Sequence, residues 1–226
     1  MVLKSGRQLW TAVDEYFRGH LAPPDKYLDA VVKANRKAGL PAIDVSPLQG
    51  QHLNLLVRIT QAKRVLEIGT LGGYSTICIA RALPVDGSIV TIEFSPRHAE
   101  VARKNLATAG VLERVEIRVG RALDILPVLH SEGAGPFDFI FIDADKVSNS
   151  EYVKWALRLA RVGTTIVVDN VVRDGKVIDG KNKDPDIIGT RHMAELIGKE
   201  PRLSATVMQN VGAKGYDGFL LAVVVS

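Results

Sequence analysis

From about residue 63 the chain alternates short apolar runs with amphipathic segments, and no other feature narrows its fold so far. RVLEIG (64–69), SIVTIEF (88–94), VEIRVG (115–120), FDFIFID (137–143) and TTIVVDN (164–170) read as strands. Residues 74–84, 95–110, 122–130 and 150–163 have helical spacing between them, and 186–200 follows as a further helix. Ser95 is placed to cap its helix, Pro96 takes the first helical position, and Gly110 and Gly163 stand as terminators. Strand and helix units of this length predict parallel strands joined by right-handed crossovers. The strands are apolar almost throughout, so the sheet is expected to be covered on both faces. The predicted fold class is α/β, an open doubly wound sheet. The last two runs, 203–209 and 218–225, have no long helix between them and read as an antiparallel hairpin at one edge.

The first 60 residues carry no strand signal. Leu9, Trp10, Val13, Tyr16 and Phe17 share one helical face, and 27–39 and 46–59 read as two more helices. They form either a cover for the sheet or a lid or dimer surface; residues 61–226 then form the core of one domain spanning 1–226. Hydrophobic residues are 46% of the 226, enough for a sizeable core. The 29 basic residues exceed the 25 acidic ones by four, but they are scattered, without the stripe that nucleic-acid binding needs. No apolar run approaches the ~18 residues of a membrane span, and the opening MVLKSGRQLW has no apolar leader. A cytoplasmic protein without nucleic-acid or membrane partners is expected. The single cysteine, Cys78, excludes an internal disulfide and sits among apolar neighbours as a core thiol.

In doubly wound sheets ligands bind outside the carboxyl ends of the strands. The first strand runs into EIGTLGGYST, with Glu67, Gly69, Gly72, Gly73 and Ser75. Its glycine order, G-x-x-G-G, is not the G-x-G-x-x-G that cradles a pyrophosphate. Glu67 would repel a phosphate and suits an ammonium instead; a plain tight turn is the other reading. The second strand ends at Glu93, 24 residues after Gly69. An acid at that distance is placed to accept both hydroxyls of a ribose, or else is a solvated strand-end charge. Together the two strand ends describe a nucleoside with a free ribose and an attached amine, which S-adenosylmethionine satisfies.

The fourth strand ends in Asp143, Asp145 and Lys146, and the fifth in Asp169 and Asn170. If these strands are neighbours, their ends lie about 5 Å apart. Asp143, Asp169 and Asn170 then present hard oxygen donors suited to Mg²⁺ first, or Mn²⁺ or Ca²⁺, rather than to zinc. Helix capping is the alternative use of such aspartates. Like-charge repulsion from a neighbouring dication favours the neutral form of a lysine, which makes Lys146 a candidate general base; an ion pair with Asp145 or Asp169 is the other possibility.

VLEIGTLGGYST, TIEFSPRHAEVARKNL, GRALDILP, FDFIFIDADK and VVDNVVRDGKV together resemble the cation-dependent O-methyltransferases, the caffeoyl-CoA and catechol O-methyltransferase-like family, over about residues 45 to 225. The pairing of DADK with a downstream DN is the specific part. The resemblance implies a Rossmann-like class I methyltransferase fold with a seven-stranded sheet. It implies that Glu67, Gly69, Thr70 and Ser75 surround the methionine part of S-adenosylmethionine, with Val45 as a backbone contact. Glu93 matches the ribose acid, Ala122 the adenine contact, and Asp143 and Asp145 further cofactor contacts. Asp143, Asp169 and Asn170 match the metal ligands, Lys146 the general base, and Asp174 the position of a substrate-contacting asparagine in the plant enzymes. It also implies a homodimer. The chain departs from the plant members in VSNSEY after DADK and in Arg173, where they carry tryptophan after DN. These departures point away from a CoA-ester acceptor and towards a bacterial-type member acting on small molecules. The lysine-rich loop 175–186 has no assigned role.

The expected reaction is methyl transfer from S-adenosylmethionine to one hydroxyl of a catechol-like aromatic. The rivals are an NAD dehydrogenase, which the glycine order and Glu67 disfavour, an RNA or protein methyltransferase, whose D/N-P-P-Y/F motif is absent, and a cofactor-binding module without catalysis.

Overall fold

A computed structural model of the chain describes residues 6–22 and 24–226. The opening MVLKS, whose lack of an apolar leader was noted above, lies outside the described residues. The strands are β1 (Arg64–Ile68), β2 (Ser88–Glu93), β3 (Val115–Val119), β4 (Phe137–Ile142), β5 (Ala160–Asp169), β6 (Leu203–Gly212) and β7 (Gly215–Val224). They form one seven-stranded sheet in the order β3-β2-β1-β4-β5-β7-β6. β1 to β5 pair in parallel, while β7 runs antiparallel to both β5 and β6. The direction of winding reverses between β1 and β4, which opens a crevice at their carboxyl ends. β4 and β5 are neighbours: Ile142 pairs with Val168, so Asp143 and Asp169 leave the sheet side by side.

Eight α-helices are present among the described residues: α1 (Gly6–Leu21), α2 (Lys26–Lys37), α3 (Pro47–Ile59), α4 (Tyr74–Ala80), α5 (Pro96–Thr108), α6 (Ala122–Ser131), α7 (Asn149–Arg158) and α8 (Pro185–Gly198). The period of two along each strand divides the core. Leu66, Ile68, Ile140, Ile142 and Val168 face α6, α7 and α8 through Leu126, Leu129, Val153 and Met193. Val65, Phe139, Phe141 and Val167 face α2 to α5 through Val31, Leu53, Val57, Ile77 and Ala102. Of the N-terminal helices, α2 and α3 thus belong to the cover of one sheet face, whereas α1 buries no residue. Cys78 is a core thiol, 6% exposed, and burial pushes it up to about 12. No described helix is long and apolar enough to cross a membrane.

The helix expected over 74–84 ends at Ala80, the closing strands extend to meet at Gly212 and Gly215, and one boundary changes element type. The helix predicted over 150–163 ends at Arg158, and β5 begins at Ala160. Gly163, expected to close the helix, lies instead in a bulge of β5, where Phe137 pairs with Ala160 but Phe139 with Thr165. Its φ of +90° explains the ambiguity, since a left-handed glycine serves a helix end and a strand bulge equally well.

Candidate active site

A cavity of ≈ 1320 Å³ lies over the carboxyl ends of β1, β2, β4 and β5. α3 and the residues before it, the start of α6, and the β6–β7 turn wall it in. Val45, Gly69, Thr70, Ser75, Glu93, Ala122, Asp143, Asp145, Lys146, Asp169 and Asn170 all border it. Glu67 and Asp174 do not.

Close approach between β1 and β4 sets the first loop. Gly69 has φ +101°, and a Cβ there would sit 2.0 Å from the Asp143 carbonyl oxygen, so only glycine permits it. Glu93 organises the same loop. Its carboxylate accepts from the backbone N–H groups of Leu71 at 2.8 Å, Thr70 at 3.2 Å and Ser95 at 2.9 Å, and His98 Nδ1 stands 3.4 Å away. The solvated strand-end charge considered above is therefore not what forms: Glu93 is 7% exposed. On the far side of the loop, Asn105 Nδ2 donates to the Gly72 carbonyl and to Asn35 Oδ1, and Asn35 Nδ2 donates to Asp44 Oδ1 at 2.8 Å. This buried chain ties α5 and α2 to the loop.

Glu67 departs from its expected place beside a ligand ammonium. It is fully buried beneath the cavity, where Ser75 Oγ, Thr76 Oγ1 and Thr91 Oγ1 donate to its two oxygens at 2.5–2.6 Å. Burial dominates over these donors and pushes its carboxyl up to about 7. Asp174 is exposed in the loop after β5, outside the cavity wall. Arg173 lines the cavity instead, with its guanidinium 3.0 Å from Asp186.

At the floor, Lys146 is 5% exposed and its Nζ donates to Asp143 Oδ1 at 2.8 Å. Its partner is Asp143, not Asp145 or Asp169. Asp145 instead caps the short turn Lys146–Ser148, accepting from Ser148 N at 3.1 Å and from the Tyr152 hydroxyl. Burial favours its neutral form, but those two donors outweigh burial and hold its carboxyl below the ordinary value. Asp169 is 7% exposed with a single hydrogen bond, from Asn170 N. Burial first, and the Asp143 carboxylate second, raise its carboxyl. Asp143 thus takes the ammonium of Lys146, and Asp169 has no ion pair among the described residues. Among the described residues no three His, Cys, Asp or Glu side chains gather around one point. The donor set is two carboxylates and the Asn170 amide, all hard oxygens that fit a divalent cation with room for further oxygen ligands.

Some cavity residues carried no recognised sequence signal. Asp217 lies just ahead of the apolar run at 218–225, and its Oδ1 accepts from the N–H groups of Val172, Arg173 and Gly218. Lys214 sits in GAKG, a glycine-flanked pattern that a hairpin search would find. His52, buried enough that its pKa is lowered, packs against Phe219 with ring centroids 4.8 Å apart and planes tilted by 47°.

The strand order, the reversal point and the acids above it define a class I methyltransferase fold. The chain belongs to the O-methyltransferase family, whose model matches residues 20–223. It is 52% identical to the catechol O-methyltransferase of Niastella koreensis over 96% of this chain and 98% of that one. It is similar to the crystal structure of a Bacillus cereus O-methyltransferase in complex with SAH, at 55% identity and TM-score 0.95, covering 96% and 99% of the two chains. It is also similar to TomG of Streptomyces achromogenes, an O-methyltransferase involved in tomaymycin synthesis and crystallised with SAM, at 48% identity and TM-score 0.95, covering 99% and 100%.

Proposed function

We propose that this O-methyltransferase moves the methyl group of S-adenosylmethionine to one hydroxyl of a vicinal dihydroxy aromatic, with a divalent cation at the acceptor and Lys146 as general base. The observation that carries the reading is the floor of the cavity, where Asp143, Asp169 and Lys146 converge beside the Glu93-organised loop. Relatives that bind SAM or SAH, and one named for catechol, support the donor and the acceptor class. The methionyl and ribose parts of the donor suit the wall from Gly69 to Ser75 and Glu93, and the adenine suits Ala122 at the start of α6. The apolar wall formed by His52, Val167 and Phe219 suits an aromatic ring.

Asp143, Asp169 and Asn170 would hold the cation, which supplies positive charge that acidifies an acceptor hydroxyl. Lys146 Nζ stands over the floor beside Asp143; with a dication bound there, like-charge repulsion would favour its neutral amine, which then accepts that hydroxyl proton. The acceptor oxygen then attacks the sulfonium methyl carbon as the carbon–sulfur bond breaks, leaving a methyl ether, S-adenosylhomocysteine and a protonated lysine. The cavity walls align the two reactants, and positioning of this kind is worth several kcal/mol, about 7 or more in favourable cases. Two copies are proposed to pair through α1.

Catechol methylation is expected to cease in EDTA and return with Mg²⁺. Lys146→Ala should lower kcat roughly 10²–10⁴-fold while calorimetry gives an unchanged S-adenosylhomocysteine affinity. Full turnover in chelator would remove the cation from the mechanism, and an unaffected kcat would remove the lysine.

A further inference from the structure

The β6–β7 turn is held by a helix that contributes nothing to the core. Gly212 pairs with Gly215, leaving Ala213 and Lys214 as a two-residue turn. From α1, Asp14 Oδ2 accepts from Ala213 N at 2.8 Å, and Arg7 Nη2 donates to the Ala213 carbonyl at 3.3 Å. A Cβ on Gly212 would run into the Asp14 carboxylate, so the glycine gives the aspartate room in this position. The turn is thereby fixed with Lys214 bordering the cavity.

Of the other cations bordering the cavity, Arg121 has no ion pair among the described residues but stands at the start of α6 beside Ala122, and Arg7 is held by the Ala213 carbonyl. Lys146 is paired with Asp143 and Arg173 with Asp186. Among the described residues Lys214 has neither an ion pair nor a side-chain hydrogen bond. Asp44, Asp143 and Asp169 face its ammonium only beyond ion-pair distance. Lys214 is exposed at the cavity mouth, and its ammonium, held by no partner of its own, is free to meet an arriving anion. The direction from which an anion would arrive follows from register. Phe219 of β7 stands opposite Asp169, and Gly215 precedes it by four residues, about 13 Å along the strand at ~3.3 Å per residue. His52 and Phe219 wall the same cavity that Lys214 and Asp169 border.

We infer that Lys214 selects the acceptor: its ammonium takes an anionic substituent, a carboxylate, carried on the aromatic ring away from the reacting hydroxyls, and Asp14 and Arg7 are the positioning residues that hold the turn for it. This rests on the acceptor reading given above. The test compares 3,4-dihydroxybenzoate, catechol and dopamine, which share the reacting hydroxyls and differ in charge. For the wild type, kcat/KM should be highest for the carboxylate. Lys214→Ala should lower it roughly ten- to hundredfold for the carboxylate alone, through KM rather than kcat. Lys214→Glu should favour the amine. Asp14→Ala should shift preference in the same direction as Lys214→Ala, by less. A uniform loss on all three acceptors, or an unchanged carboxylate KM, overturns the inference. Calorimetric binding of the same three compounds to the complex with S-adenosylhomocysteine separates the two readings. Charge-selective binding that Lys214→Ala abolishes, without turnover, upholds Lys214 and refutes the chemistry. Turnover without charge preference does the reverse, and absence of both binding and turnover refutes both.

Discussion

Glu67 shows how a single residue can mislead when it is read by its place in a motif. RVLEIG places it two residues from the glycine turn, which offered it as a ligand contact. The strand's period of two decides otherwise: Glu67 shares a face with Val65, and that face is covered by α4. The hydroxyls of Ser75, Thr76 and Thr91 are therefore the partners of a core carboxylate. The parity was present in the sequence, whereas the three hydroxyls, brought from α4 and β2, were not. A pH dependence follows. The folded carboxyl titrates at about 7 against an unfolded value of 4.5, because burial outweighs the donors. The folded state then binds more protons than the unfolded state between those values, so stability falls as pH rises through that window and levels off above it. The shift corresponds to roughly 3 kcal/mol. Urea unfolding of the apoprotein between pH 4.5 and 7.5 should show this decline, and Glu67→Gln should flatten it by about that amount. Equal pH slopes for the two proteins would mean that Glu67 does not titrate there.

Among the elements, the loop leaving β5 carries the most backbone strain. Asn170, Arg173 and Asp174 have φ of +59°, +56° and +56°, a region that costs on the order of 1–2 kcal/mol at Arg173 and less at Asn170 and Asp174, which adopt it more readily. Asp217 on β7 opposes that strain through the N–H groups of Val172 and Arg173, both at 3.0 Å, and Tyr216 O accepts from Asp174 N at 3.1 Å. Asp217→Ala should therefore lower unfolding stability by about 2 kcal/mol. It should weaken Mn²⁺ binding, followed by electron paramagnetic resonance, because Asn170 opens this loop, and S-adenosylhomocysteine affinity should be kept. Asp217→Asn retains an acceptor oxygen and should restore most of both. A Mn²⁺ affinity unchanged in folded Asp217→Ala would detach the loop from the proposed cation site. The sequence made the strands and most helices legible because apolar period and helix punctuation agree there, as at Ser95, Pro96 and Gly110. It was silent on this clamp, because Asp217 and Val172 are 45 residues apart and meet only once β7 inserts beside β5.

At the scale of the whole molecule, α1 is incompletely accounted for by one chain. Its 16 residues include none that is buried, and Leu9, Val13, Tyr16, Phe17 and Leu21 are 43–64% exposed. An isolated helix of this length is marginal in water, and helices in proteins draw their stability from a packed apolar face. The polar ties to Ala213 fix where α1 lies but bury little, and the neighbouring β6 adds Val207, Met208 and Val211, each about half exposed. A second copy presenting the same stripe would cover these side chains, and self-complementary pairing of this kind is the commonest symmetric assembly. Light scattering should give a mass near twice the 24.5 kDa of one chain. The pair Val13→Asp and Phe17→Asp should yield monomers, with faster amide exchange along α1 and a folded sheet. Since α1 also holds the Lys214 turn, these monomers should lose charge preference among acceptors while keeping S-adenosylhomocysteine affinity. A wild-type monomer with α1 fully protected from exchange would show that one chain stabilises the helix unaided, and the pairing would then have no physical basis.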